Sequence, residues 1–283
     1  MINQASELAV RFWAQGRLDD CPVLDMHAHM GPFYGGMVPL DTPEAVLEAM
    51  DQSHVVLTCF VSHNSLFAPE IGKEEDLAIA RRYPDRYKLY HIVASQQLQP
   101  EADLTRVEQN RDHYVGFKFL CDYYQVPLSD ARHEPYWAYA NANRLLVLSH
   151  TWGGSAFNGP EEAEKILARY PDLVLVAGHS FHGDWESAVR LAARYPNLYL
   201  ELTAVLDDRG ALDFLVRELG SEQILFGVDM PWFAYTNGIG SVLSADMTDE
   251  DRRNILYRNA RRLLARFPWF DRVWNKAVKQ PVP

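Results

Sequence analysis

The chain of 283 residues carries 27 Lys and Arg against 38 Asp and Glu, which gives a formal net charge of −11. Nucleic acids and anionic membrane surfaces are bound by cationic protein surface, so this charge argues against both as partners. Hydrophobic residues make up 48% of the chain, an ordinary value for a globular protein. None of the apolar stretches approaches the roughly 20 residues that span a bilayer.

The three cysteines, Cys21, Cys59 and Cys121, are far apart and form no CxxC pair. An odd number of dispersed cysteines predicts neither a disulfide framework nor a zinc knuckle. The N-terminal sequence also lacks the basic stretch and the apolar run that are typical of a signal peptide. Together these features predict a cytoplasmic protein.

Eight apolar runs predict eight strands. Their predicted bounds are Val23–Met30, Val55–Ser62, Lys88–Ser95, Val115–Leu120, Leu145–His150, Leu173–Ser180, Leu198–Thr203 and Ile224–Asp229. Runs such as LVLVAG and LLVLS are apolar at successive positions rather than at alternate ones. This pattern is typical of parallel strands that are buried on both faces.

Amphipathic patterns between the strands predict the helices. They are TPEAVLEAMDQS, KEEDLAIARRY, EEAEKILARY, DWESAVRLAARY, GALDFLVRELG and a further helix near Thr248–Leu264. Thr42 followed by Pro43 predicts a helix start, because threonine caps the first turn and proline fits inside it. At 82–84, 169–171 and 194–196 a helical pattern ends at Arg-Tyr-Pro, where proline cannot continue the helix.

Strands that alternate with helices, without a break in composition, predict an α/β protein with one (β/α)8 TIM barrel. We expect a closed parallel barrel rather than an open, doubly wound sheet. The predicted domain is the whole chain, 1–283, with the barrel itself over about 23–264.

Polar residues gather at the predicted C-terminal ends of the strands, the face on which TIM barrels carry their active sites. They are Asp25, His27, His29, Ser62, His63, Ser95, Lys118, His150, His179, Glu201, Thr203 and Asp229. In VLDMHAHMGP, His27 and His29 share one face of the strand, since successive side chains alternate. His150 and Asp229 could add two more ligands from across the barrel. Imidazole nitrogen and carboxylate oxygen suit a first-row divalent ion, so a metal site is predicted.

The remaining histidines carry weaker signals. His54, His91, His113 and His133 are interpreted as surface residues. His63 and His182 lie just past strand ends and are candidates for substrate binding. The same role is predicted for two aromatic residues of the neighbouring loops, Trp152 and Trp232.

Four motifs resemble those of the amidohydrolase superfamily, in the amidohydrolase-2 branch that includes aminocarboxymuconate semialdehyde decarboxylase. They are DMHAH in the first strand, LSHTWG in the fifth, AGHSFHGDW in the sixth and LFGVDMPW in the eighth. They occur in the family's order and extend over about 23–264. The branch contains both hydrolases and non-oxidative decarboxylases.

The resemblance implies roles for individual residues. It makes His27, His29 and His150 metal ligands, and Asp229 both a metal ligand and the proton acceptor. It implies that His179 orients water or polarises the substrate rather than holding the metal tightly. The cofactor implied is one divalent ion, with zinc expected and manganese as the alternative.

Lys118, in VGFKFL, lies on the fourth strand, where two-metal relatives carry a carboxylated lysine that bridges the ions. The alternatives are a lysine at the barrel rim and a cation that binds a substrate carboxylate. We expect an unmodified lysine and a single ion.

Aromatic residues are frequent in the loops after the strands, and they could line a pocket for a ring-shaped substrate or pack the loops. They are Phe33, Tyr34, Phe67, Tyr123, Tyr124, Trp152, Phe157, Phe181, Trp232, Phe233 and Tyr235. Cations are sparse there, with Lys118, Arg132 and Arg209 as the candidates. A substrate with several carboxylates would need more positive charge than this, unless the metal supplies it.

We therefore expect a metal-dependent hydrolase that activates water to attack an ester, lactone or amide carbonyl of a small molecule. The alternative is a non-oxidative decarboxylase of an aromatic or unsaturated acid that uses the same residues. A third reading is a non-catalytic metal-binding protein. The expected partner is the small-molecule substrate, with neither nucleic acid nor membrane, and a homo-oligomer is compatible with the sequence.

Overall fold

A computed structural model describes residues 5–279 of the chain. The outermost residues of the predicted domain, 1–4 and 280–283, lie outside the described residues. No helix within 5–279 combines the length and the apolar character that crossing a bilayer requires.

Eight parallel strands form one sheet in which every strand neighbours the next along the chain. They are β1 Val23–Ala28, β2 Val55–Phe60, β3 Tyr87–Ile92, β4 Tyr114–Phe119, β5 Leu146–Trp152, β6 Val174–His182, β7 Leu198–Glu201 and β8 Ile224–Leu225. The predicted (β/α)8 TIM barrel is confirmed. Each predicted strand is present, with ends that differ by a few residues.

The helices cover the outside of the barrel and close its ends. They are α1 Glu7–Gln15, α2 Pro43–Ser53, α3 His63–Phe67, α4 Pro69–Arg82, α5 Pro100–Gln109, α6 Cys121–Tyr124, α7 Glu134–Asn143, α8 Pro160–Arg169, α9 Trp185–Arg194, α10 Ala211–Leu219, α11 Tyr235–Ser244, α12 Asp249–Arg253, α13 Asn259–Leu264 and α14 Phe270–Lys279. Short 3-10 helices span Ala131–His133 and Val205–Asp207, and a π-helical turn at Asn254–Arg258 joins α12 to α13.

The predicted helix boundaries have the expected physical causes. Helices α4, α8 and α9 each end at the arginine of an Arg-Tyr-Pro sequence. Thr42 caps α2 by accepting a hydrogen bond from the main-chain N–H of Ala45, and Pro43 occupies the first turn. Thr248 caps α12 in a reciprocal arrangement with Asp251. These local signals therefore place the helices between the correct strands.

The barrel closes between β1 and the segment that follows β8. Three main-chain hydrogen bonds join them: Met26 N–H to Phe226 O at 3.0 Å, Asp229 N–H to His27 O at 2.9 Å, and His29 N–H to Met230 O at 2.6 Å. Strand β8 itself ends at Leu225, four residues before the predicted end at Asp229. Asp229 has a φ of 60°, a left-handed conformation outside the extended region of a regular strand. The closure brings Asp229 beside the histidines of β1.

Three histidines that were expected at the surface are buried, so that interpretation is wrong for them. His54, His91 and His133 are each less than 9% exposed. His133 bonds to Ser95 Oγ at 2.9 Å and to Leu128 O at 3.2 Å. His91 Nε2 lies 2.8 Å from a carboxylate oxygen of Asp103. Buried imidazoles with polar partners support packing between helices and strands, a role that sequence position does not reveal.

Candidate metal centre

The C-terminal ends of β1, β4, β5, β6 and β7 meet the segment after β8 at one mouth of the barrel. There, one potential ligand atom from each of His27, His179 and Asp229 lies within 4.8 Å of the other two. These residues come from three separate elements, and the barrel brings them together. The arrangement is a possible site for a metal ion.

His27, on β1, is held through both ring nitrogens. Its Nδ1–H donates to Glu201 Oε2 at 2.7 Å, while Nε2 accepts a hydrogen bond from Lys118 Nζ at 2.9 Å. Burial lowers the pKa of His27 well below its usual value, and the nearby charge of Lys118 lowers it further. The ring is therefore neutral, with its lone pair on Nε2, the form in which an imidazole binds a cation.

His29 points to the same centre from the same strand. Its Nδ1–H donates to the main-chain oxygen of Val61 at 2.8 Å, and its Nε2 lies 3.0 Å from Asp229 Oδ1. The predicted shared face of His27 and His29 is thus present. The ring centroids of the two histidines are 5.3 Å apart.

Asp229 is the carboxylate of the cluster. Burial alone would raise its pKa, but His27 and His29 beside it hold that pKa well below the usual range. Its Oδ1 is a buried atom that accepts no well-aligned hydrogen bond from residues 5–279. A buried oxygen without a hydrogen-bond donor and a left-handed backbone each cost free energy. The cost is offset if another group, such as an ion, binds to this oxygen.

His150 and His179 form a pair between β5 and β6. Nδ1 of His179 lies 3.3 Å from the main-chain oxygen of Thr203, and Nε2 of His179 lies 2.9 Å from Nδ1 of His150. The consistent tautomers have His150 donating to His179. Nε2 of His150 then carries a free lone pair. It lies 4.0 Å from Asp122 Oδ2, which is beyond hydrogen-bond distance. The geometry groups His179, rather than His150, with His27 and Asp229, and the ligand role of His150 stays a prediction.

Lys118 projects from β4 into this centre and is only 1% exposed. Burial lowers its pKa to about 8, although the carboxylates of Asp229 and Glu201 oppose that shift. Its Nζ is bonded to the lone pair of His27 that a cation would use. Lys118 therefore lies at the centre of the site and not at the rim.

Aromatic rings surround the histidines at the mouth. Trp152 stacks between His150, at an interplanar angle of 6°, and His182, at 22°. Trp232 and His63 contact each other on the other side, where His63 stacks on His29. Trp152 and Trp232 are 38% and 43% exposed, so each leaves part of its ring accessible. His182 is partly buried, and its Nε2 lies 3.0 Å from Asp208 Oδ2.

The sequence profile described as Amidohydrolase matches residues 3–266, which is nearly the whole chain. The chain belongs to the amidohydrolase family. The resemblance drawn from the four motifs is therefore confirmed. A comparison with curated proteins gave no match.

Solved structures with the same fold include an uncharacterized TIM-barrel protein from Bordetella bronchiseptica, with a TM-score of 0.70 and 19% identity over 87% of this chain and 99% of that chain. The 2,6-dihydroxybenzoate decarboxylase from Rhizobium has a TM-score of 0.67 and 18% identity, with 87% and 99% covered. A dihydroxybenzoic acid decarboxylase from Polaromonas sp. JS666, solved with manganese and 2-nitroresorcinol, has a TM-score of 0.68 and 17% identity, with 87% and 97% covered. At these identities the likeness concerns the fold.

The residues of this amidohydrolase fit a divalent cation. The neutral imidazoles of His27 and His179 and the ionised carboxylate of Asp229 carry nitrogen and oxygen atoms of the kind that zinc and manganese accept. Nε2 of His179 accepts a hydrogen bond from His150, so it would have to give up that bond to bind an ion. The buried oxygen of Asp229 that lacks an aligned donor is the observation that favours a cation. The donor set does not distinguish between the two metals.

Glu201 is the functional candidate that the sequence did not identify as such. It was visible only as one of several polar residues at strand ends, and nothing in ELTAVL indicates that its carboxylate would reach His27 on the first strand. The pairing depends on the closure of the barrel, which brings β7 and β1 together through the segment that follows β8.

Proposed function

We propose that this amidohydrolase is a metal-dependent decarboxylase that removes CO2 from a small aromatic carboxylic acid without an oxidant. The observation that carries the proposal is the set of partly exposed rings, Trp152 and Trp232 above all, around a buried cluster of histidines and one aspartate. Aromatic substrates bind against the exposed edges of such rings through apolar and edge-to-face contacts. The decarboxylases with the same fold support this choice over hydrolysis.

The cluster would hold one divalent ion through His27, His29, His150 and Asp229. Bound there, the ion supplies Lewis-acid stabilisation of negative charge on the oxygens of the substrate. Zinc is our expectation from the donor set. Manganese is the alternative and gains support from the metal in the Polaromonas structure.

The side chains provide the proton and the orientation. In decarboxylation the bond between the ring carbon and the carboxyl group breaks, CO2 leaves, and the electron pair that stays on the ring carbon takes up one proton. Asp229, which is ionised at rest, takes up one proton from solvent, passes it to the ring carbon and returns to its carboxylate form. His179 orients the reacting group, and the ammonium group of Lys118 binds an anionic oxygen of the substrate.

One observation favours the second candidate, hydrolysis of an ester, lactone or amide. The low pKa of Asp229 keeps its carboxylate ready to accept a proton, which is the role that attack by water requires. Decarboxylation instead requires this group to be protonated during the reaction. The two reactions therefore use Asp229 in opposite directions.

The test is a substrate panel with the protein loaded with Mn²⁺ or Zn²⁺. Hydroxybenzoic acids are assayed for CO2 release, and lactones, esters and amides are assayed by chromatography for the carboxylic acid product. We expect CO2 from at least one hydroxybenzoate and no acid from the second panel. Acid release without CO2 would establish the hydrolase instead. Absence of both bound metal and turnover would favour a non-catalytic protein.

A further inference from the structure

We propose that Glu201 is a positioning residue that fixes the ring of His27 for cation binding. This inference rests on the metal site of the proposed function but not on the reaction. Glu201 lies at the end of β7, its side chain is fully buried, and it comes from a different element than any predicted ligand.

Both carboxylate oxygens of Glu201 are committed. Oε2 accepts hydrogen bonds from Nδ1–H of His27 at 2.7 Å and from the main-chain N–H of His179 at 3.3 Å. Oε1 accepts two more, from the main-chain N–H and the hydroxyl of Thr203, each at 2.6 Å. A carboxylate held from both sides cannot rotate freely, so the direction of its bond to His27 is fixed.

That bond selects the tautomer of His27. With the proton on Nδ1, the lone pair is on Nε2, and Nε2 is indeed the atom that accepts from Lys118. A carboxylate behind an imidazole also makes the opposite nitrogen more electron-rich and a stronger ligand. Glu201 thus orients His27 and raises its basicity at the atom that faces Asp229, 3.5 Å away.

The same carboxylate is linked to His179. His179 has a φ of 70°, outside the usual region for a residue with a side chain. Its main-chain N–H bonds to Glu201 and its Nδ1–H to the main-chain oxygen of Thr203. The end of β7 therefore supports two of the three residues of the cluster.

Space for Glu201 is provided by Gly227. A Cβ at this position would lie 2.1 Å from Oε1 of Glu201 and 2.9 Å from Cβ of His27. Atoms at those separations overlap, so a side chain at 227 would displace the carboxylate or the histidine. The absence of a side chain at Gly227 is therefore required for Glu201 to occupy its position beside His27.

The experiment measures Co²⁺ binding by the metal-free full-length protein, without any substrate. The variants are Glu201→Gln, which keeps the shape, and Glu201→Asp, which keeps the charge but is too short by one methylene. We expect the dissociation constant to rise by about 10-fold to 100-fold in both, as for other carboxylates behind metal-binding histidines. The visible absorption of bound Co²⁺ should also change, because the field of the His27 ligand changes.

Ser180→Ala is the matched control. Ser180 donates to the main-chain oxygen of Glu201 at 2.8 Å and is also buried, but it does not touch the carboxylate. Its loss should lower the melting temperature while leaving the Co²⁺ dissociation constant and spectrum as in the wild type. If one glutamate variant fails to fold, the other still gives the comparison.

The outcomes separate the two proposals. Wild-type protein that binds no Co²⁺ overturns the metal site and the role of Glu201 with it. Wild-type protein that binds Co²⁺, with both Glu201 variants giving the same dissociation constant and spectrum, overturns the role of Glu201 alone. Weaker binding by Glu201→Gln but not by Glu201→Asp would show that charge, and not the contact with His27, is what matters, and would also overturn it.

Discussion

The indole N–H of Trp232 donates a hydrogen bond to Nε2 of His63 across 3.0 Å, while Nδ1–H of the same histidine donates to the main-chain oxygen of Gly31 at 2.7 Å. Both nitrogens of His63 are therefore occupied by protein groups. Burial lowers the pKa of His63 to about 4, so the ring is neutral and keeps this pattern at neutral pH. We infer that His63 acts on the substrate indirectly, by holding Trp232.

The pair can be tested by a double-mutant cycle. His63→Ala, Trp232→Phe and the double variant should each raise KM for the aromatic acid found in the panel. Since both single changes break the same hydrogen bond, the double variant should be less impaired than the sum predicts, by about 1 kcal/mol. Full additivity in KM would indicate that His63 has a contact of its own with the substrate.

Metal content should distinguish ligands from orienting residues. Asp229→Ala and His27→Ala should lose most of the bound metal, because each removes a direct bond. His150→Ala should also lose it, since Nε2 of His150 has a free lone pair, whereas His179→Ala should retain metal and lose activity. Elemental analysis of the four purified variants measures this. Metal lost from His179→Ala and kept by His150→Ala would reverse the two assignments.

Lys118 decides between one ion and two. Lys118→Met should retain the metal, with equal or tighter affinity, because a positive charge next to the cation is removed. Its activity should fall through weaker substrate binding. Lys88→Met is the control, because Lys88 is also 1% exposed but lies at the opposite end of the barrel, against Trp269. Two ions in the wild type and fewer in Lys118→Met would instead indicate a carboxylated, bridging lysine.

A buried carboxylate far from the site should govern acid stability. Burial would raise the pKa of Asp103, but His91, Lys73 and Tyr136 lower it to about 2. Lys73 Nζ and the hydroxyl of Tyr136 both donate to its carboxylate at 2.6 Å. Because the folded-state pKa lies below the unfolded one, this group stabilises the protein above about pH 4 and loses that contribution as the pH falls towards 2.

Asp103→Asn should therefore lower the free energy of unfolding by roughly 2 kcal/mol at pH 7, the value that a shift of this size implies. The difference from the wild type should shrink as the pH is lowered through that range. Urea denaturation at several pH values measures both. Tyr136→Phe, which keeps the ion pair, should have a smaller effect. A difference that does not change with pH would show that packing, not charge, stabilises this cluster.

The sequence predicted the barrel well because its signals are local. Apolar runs mark the strands. The proline after Arg-Tyr ends helices α4, α8 and α9 whatever the tertiary contacts of these helices are. The shared face of His27 and His29 also follows from strand geometry alone. These features require no knowledge of distant residues.

The missed features depend on contacts between distant segments. The bond between Glu201 and His27 joins residues 174 positions apart, and Lys118 reaches His27 over 91 positions. The contact of His179 with His150 depends on the left-handed backbone of residues 179–181, which AGHSFHG does not reveal. The buried positions of His91 and His133 likewise result from helix packing. Local patterns carry no information on such side-chain directions.

The closure between β1 and the segment after β8 has a consequence for the motions of the barrel. Two of its three main-chain hydrogen bonds involve His27, His29 and Asp229 themselves, so the seam of the barrel and the candidate site share the same residues. An ion bound by residues on both sides of this seam would stabilise the closed barrel, because a ligand that binds only the closed form opposes separation of β1 from the segment after β8. Amide protons of His29 and Asp229 should then exchange with deuterium more slowly in loaded protein, while those in β4 keep their rates.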